Sequence, residues 1–148
     1  MTVVRLTKRF TFEMAHALLN YEGDCKNIHG HSYKLEVCVI GTPESAPMSP
    51  EDGLLMDFKE LKTLVGQAII KKFDHSLVMN KNHDTMLIDT LSEQFDKLVT
   101  VNYQPTCENL IVDFADRIQE RLGFGVELHH LILHETETAY CSWFAADN

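Results

Sequence analysis

The stretch Cys25-Lys26-Asn27-Ile28-His29-Gly30-His31-Ser32-Tyr33-Lys34-Leu35-Glu36-Val37-Cys38-Val39 joins a cysteine, two histidines flanking one glycine, and a regular alternation of apolar and polar side chains. On a β-strand, residues i and i+2 share a face. His29 and His31 therefore share the face of Tyr33, Leu35, Val37 and Val39, opposite Ser32, Lys34 and Glu36. The two imidazoles lie on the apolar, inward side of a strand, and Gly30 places no bulk between them.

The preceding segment alternates in the same way. Val4, Leu6, Phe10, Phe12 and Met14 interleave with Arg5, Thr7, Arg9, Thr11 and Glu13, with Lys8 as one break, and His16 falls in register with the apolar set. If the two strands pair, three imidazoles meet on one sheet face. That is the ligand set of a catalytic Zn²⁺ with one open position. A closed structural site needs a fourth protein ligand, and Cys25 is the candidate; the catalytic and structural readings both stand at this point.

Composition narrows the class. At 148 residues and 45% hydrophobic, the chain fits one globular domain spanning 1–148. A net charge of −9 disfavours non-specific binding to nucleic acid or an anionic membrane. No signal-like segment opens the chain and no apolar run approaches a membrane span. Four cysteines in a chain this apolar need not be cross-linked, so a reduced, cytoplasmic enzyme is expected.

Further along, Thr42 to Gly53 reads as a surface loop, and Asp57 opens a helix expected to run to about Lys72. Phe73 to Asn82 reads as a turn carrying Asp74 and His75. Met86 to Val99 is compatible with a short helix, and Leu98 to Tyr103 with a short strand. Thr106 caps a second firm helix that stops at Gly123, and Val126 to Trp143 reads as two strands with a turn near Thr136 to Thr138. The order ββ-α-α-ββ implies an α+β domain, an antiparallel sheet of about four strands with two helices on one face. The uncovered face and edges make oligomerisation expected.

Thr11-Phe-Glu-Met-Ala-His16, Cys25-Lys-Asn-Ile-His29-Gly-His31, Met56-Asp-Phe58, Asp74-His75, Pro105-Thr-Cys-Glu-Asn109 and His134-Glu-Thr136 together resemble the 6-pyruvoyltetrahydropterin synthase and 6-carboxy-5,6,7,8-tetrahydropterin synthase group over nearly the whole chain. The resemblance implies the tunnelling fold, in which subunits assemble into a β-barrel, commonly a hexamer of two stacked trimers with active sites at subunit interfaces. It implies Zn²⁺ on His16, His29 and His31, and Cys25 as general base. His75, oriented by Asp74, matches the proton relay, Glu135 the acid that anchors the pterin, and Thr106 and Glu108 the pocket lining. The implied substrate is 7,8-dihydroneopterin triphosphate. The three residues between Cys25 and His29 resemble the 6-carboxy synthases of queuosine and deazapurine biosynthesis, whose products include acetaldehyde and triphosphate. The runner-up is the 6-pyruvoyl reaction, which eliminates triphosphate without cleaving the side chain; a non-catalytic zinc-binding protein is the third reading. Lys26 and Lys34 are the cations nearest the histidine segment, Cys38, Cys107 and Cys141 read as structural, and His83, His129, His130 and His134 have no assigned role.

Overall fold

The computed structural model describes residues 2–148. Two long strands, β1 (Val4–Ala17) and β2 (His29–Gly41), form an antiparallel pair in the register that the alternation requires: Phe12 faces Tyr33, Met14 faces His31 and His16 faces His29. The inward set of β2 is fully buried at Tyr33, Leu35, Val37 and Val39. Lys8, the one break in β1, sends its Nζ 5.9 Å from the centroid of the Phe58 ring, so its stem covers apolar surface while the ammonium stays at the rim.

The expected four-stranded antiparallel sheet is corrected to a mixed sheet of six, in the order β4-β3-β1-β2-β5-β6. The added strands are β3 (Ser76–Asn80), which runs parallel to β1, and β4 (Leu98–Val101), parallel to β3. The Phe73 to Asn82 segment is thus not a turn throughout. Its run Ser-Leu-Val-Met-Asn is too short and too evenly buried to display a period of two, which hides a parallel strand from pattern reading. β5 (Val126–His134) and β6 (Tyr140–Phe144) complete the sheet as an antiparallel pair beside β2.

Helices cover one face. Asp57 caps α1 (Phe58–Val65) by accepting the Lys59 N–H at 2.6 Å, and a π-helical turn, Gly66–Ile70, carries the chain into the short α2 (Lys71–Phe73). α3 (Thr85–Gln94) starts at Asp84, and α4 (Cys107–Gln119) starts at Thr106, whose hydroxyl accepts the Asn109 N–H. Leu61, Val65, Ile69, Leu110, Phe114 and Ile118 pack on Phe12, Tyr33, Leu35 and Leu131, with Phe12 and Tyr33 stacked at 5.1 Å between centroids. That layer fixes the polar ends of β1 and β2 where the histidines lie.

Candidate metal centre and cleft

Three imidazoles converge at the ends of β1 and β2. One donor atom from each of His16, His29 and His31 lies within 4.8 Å of the others. Two backbone carbonyls set the tautomers: His16 Nδ1 is 2.7 Å from Pro105 O, and His29 Nδ1 is 2.7 Å from Asn27 O. A carbonyl can only accept, so both Nδ1 atoms carry the proton and both Nε2 atoms present lone pairs. Those two Nε2 atoms are 3.1 Å apart, and the Nε2 of His31 is buried with no hydrogen-bond partner. Nitrogens bonded to one tetrahedral Zn²⁺ at about 2.0–2.1 Å stand roughly 3.3 Å apart. The donor set therefore fits zinc by type, tautomer and spacing, with each backbone carbonyl orienting its ring from behind.

Gly30 is required between the two histidines of β2. A Cβ there would meet the Met14 carbonyl oxygen at 3.1 Å, so the glycine permits the close approach of β2 to β1 that brings His16 to His29. Cys25 stands in a turn before β2, tied back by the Leu18 N–H donating to its carbonyl at 3.0 Å, and it does not join the close donor group.

Burial lowers the His16 pKa, against the opposing pull of the Pro105 carbonyl and Glu135. The unfolded chain then takes up the proton first, so the metal-free protein loses stability as pH falls through the ordinary histidine value of about 6.5, until the lower folded value is reached. Melting of chelator-treated protein across this range should show a falling Tm and a smaller fall in His16→Gln. An identical slope in the two proteins would contradict this origin.

A cleft of ≈ 390 Å³ opens beside the imidazoles and contains His16, Cys25, Thr106, Glu108 and Glu135 in its walls. The segment Gln104 to Asn109 is a clamp that builds it. Gln104 exchanges two hydrogen bonds with the Leu19 backbone, Pro105 holds His16, and Asn109 Nδ2 donates to the Gln104 carbonyl at 2.9 Å. The sequence carries no signal for this role of Gln104 beyond its place next to Pro105.

Glu135 lies at the start of the β5–β6 turn. One of its oxygens accepts the Tyr33 hydroxyl at 3.3 Å and lies 3.7 Å from His16 Nε2 and 3.9 Å from His31 Nε2. Burial and this carboxylate push the Tyr33 pKa well up, so the phenol remains a donor. Tyr33 is a second site residue missed in the sequence, where it reads only as core. Cys107 and Cys141, expected as structural, also wall the cleft with their Sγ atoms 3.0 Å apart; their mutual hydrogen bond raises the Cys107 thiol pKa and lowers that of Cys141.

Asp74 and His75 stand elsewhere. They flank a separate concavity of ≈ 630 Å³, which His75, Glu13, His31 and Lys97 line. His75 adopts a left-handed backbone (φ 60), a conformation that costs a non-glycine residue of order 1–3 kcal/mol. It is held there by its N–H donating to Glu13 O at 2.6 Å, while Asp74 Oδ1 accepts the Glu13 N–H and His75 Nδ1–H, both at 2.9 Å. The backbone hydrogen bond, assisted by His75 and Lys97, keeps the Asp74 carboxyl below its usual range. The long stretch after His75 supplies β3, α3 and β4, and between α3 and β4 it places Phe95, Asp96 and Lys97 on the wall of this concavity. Lys34 is on the opposite face of β2 from the histidines and pairs with Glu137, so it does not point to the donor group.

A three-histidine donor group that could hold a metal ion stands beside an acid and a cysteine on a helix-covered mixed sheet. The chain belongs to the 6-pyruvoyl tetrahydropterin synthase family, whose sequence model matches residues 5–145. It is 26% identical over 141 residues to a 6-carboxy-5,6,7,8-tetrahydropterin synthase from Haemophilus influenzae, covering 94% of this chain and 97% of that one. It is 32% identical over 146 residues to a 6-pyruvoyl tetrahydrobiopterin synthase from Drosophila melanogaster, covering 90% and 75%. The crystal structure of 6-pyruvoyl tetrahydropterin synthase from Plasmodium vivax superposes with a TM-score of 0.73 at 15% identity, over 97% of this chain and 98% of that chain, and shares the fold. The protein is thus a tetrahydropterin synthase-like enzyme of the lyase type. No helix among the described residues is long and apolar enough to cross a membrane.

Proposed function

We propose that the enzyme converts 7,8-dihydroneopterin triphosphate and water to 6-carboxy-5,6,7,8-tetrahydropterin, acetaldehyde and triphosphate, as a step toward deazapurines such as queuosine. The observation that carries this reading is the convergence of one donor nitrogen from each of His16, His29 and His31 next to a cleft that also holds Cys25 and Glu135. Relatives named 6-carboxy-5,6,7,8-tetrahydropterin synthase support the product.

In this reading His16, His29 and His31 hold a zinc ion, which when bound supplies Lewis acidity to the side-chain oxygens of the substrate. Glu135 accepts the two-donor amino and N–H edge of the pterin, oriented by the Tyr33 hydroxyl, with Thr106 and Glu108 walling the ring. Cys25 removes a proton from the side-chain carbon next to a hydroxyl. His75, its Nδ1–H fixed on Asp74, moves a proton through Nε2. The cleft selects by ring edge, and the histidines position the side chain for Cys25.

Cys25 and His75 belong to different concavities of one chain, so a second copy supplies the missing member of the pair. The open strands β4 and β6 at the two sheet edges give the surfaces for such assembly. Mixing and reassembling Cys25→Ala with His75→Ala protein should restore part of the activity that each lacks alone. No recovery, or a monomer by light scattering with full activity, would remove the shared site. The 6-pyruvoyl reaction is the second reading, favoured by the similarity to the Drosophila protein.

A further inference from the structure

We infer that Cys38, His129 and His130 form a second metal site, for a borderline-soft divalent cation such as Zn²⁺, on the face of the sheet turned away from the helices. The site is independent of the three-histidine group. Cys38 is seven positions beyond His31, about 23 Å along an extended strand, and it has the opposite side-chain parity.

A β-bulge builds it. Cys38 pairs with His130, whereas Val39 pairs with Leu128, so His129 is the extra residue on β5. A regular strand would send consecutive side chains to opposite faces, but a bulge can turn both to one side. Here the two rings stand side by side, with Nδ1 atoms 2.7 Å apart and ring centroids at 5.0 Å. One donor atom from each of Cys38, His129 and His130 lies within 4.8 Å of the other two. Cys38 itself is 1% exposed although its neighbours Val37 and Val39 occupy the core side. Thiolate and imidazole suit Zn²⁺, Co²⁺ and copper, and exclude Mg²⁺ or Ca²⁺ as the intended occupant.

The surroundings supply the support that a metal-bound histidine requires. His130 Nε2 lies 3.6 Å from Glu36 Oε1, and Glu36 is anchored by Arg9 at 2.8 Å, giving a carboxylate behind the ligand ring. On the other ring, Arg5 Nε donates to His129 Nε2 at 2.9 Å, which leaves the proton on Nδ1 between the two imidazoles. A cation takes the place of that proton: His129 changes tautomer, exposed Arg5 turns to solvent, and the Cys38 thiol releases one proton to water. The metal's oxidation state does not change.

The test is a titration of chelator-treated full-length protein with Co²⁺ under a phosphine reductant without oxygen. The expected result is a thiolate-to-cobalt charge-transfer band that persists in Cys25→Ser and vanishes in Cys38→Ser, with one fewer equivalent of cobalt bound per chain in the latter. Should Cys38→Ser fail to fold, the His129→Gln, His130→Gln double variant at half-buried positions should show the same loss while its circular dichroism stays unchanged. A band that follows Cys25, no band, or unchanged stoichiometry in the variants would overturn the site. These readouts do not depend on turnover, so they hold or fail separately from the proposed reaction.

Discussion

Replacing Cys25 by alanine should leave the zinc of the three-histidine group bound while lowering turnover by about 10²–10⁴-fold, the usual contribution of a positioned general base. The cysteine lines the cleft but is outside the close group formed by His16, His29 and His31, and two backbone carbonyls already fix the His16 and His29 tautomers. Metal retention therefore should not depend on it. Zinc content by atomic emission and steady-state rates check the two halves separately. Loss of zinc together with activity would make Cys25 a fourth ligand and the site a closed structural one.

Glu135→Ala should weaken pterin binding by about 10²–10⁴-fold, again with zinc retained. Each hydrogen bond to a charged group contributes roughly 1.5–3 kcal/mol, and the pterin edge offers two donors to this carboxylate. Its closest oxygen lies 3.7 Å from His16 Nε2, which leaves the carboxylate beside the metal position and poised to hold the ring against it. Equilibrium binding of a non-reacting pterin measures the effect. Unchanged affinity would remove Glu135 from the substrate site, and loss of zinc would make it a metal ligand. Tyr33→Phe, which removes only the orienting hydroxyl, should cost about tenfold or less.

The histidine centre was legible because strands encode it locally. His29 and His31 are two apart, His16 is in phase with Phe12 and Met14, and a single strand pairing brings them together. Thr106 was legible for the same reason, as a helix cap next to proline. The long-range contacts were not. Tyr33 reaches Glu135 across 102 residues and Gln104 clamps Leu19 across 85, and neither leaves a periodic trace. β3 was hidden by its five-residue length, and the His129-His130 doublet acquires meaning only through a register slip that no alternation reveals. Asp74 and His75 were recognisable as a pair, but their separation from Cys25 within one chain depends on the parallel placement of β3 beside β1.

The central claim is most directly tested by incubating the zinc-loaded protein with 7,8-dihydroneopterin triphosphate without oxygen and analysing the pterin by mass and the solution for acetaldehyde. The expected result is 6-carboxy-5,6,7,8-tetrahydropterin with an equal amount of acetaldehyde. Formation of 6-pyruvoyltetrahydropterin without acetaldehyde would contradict it and assign the enzyme to the elimination reaction.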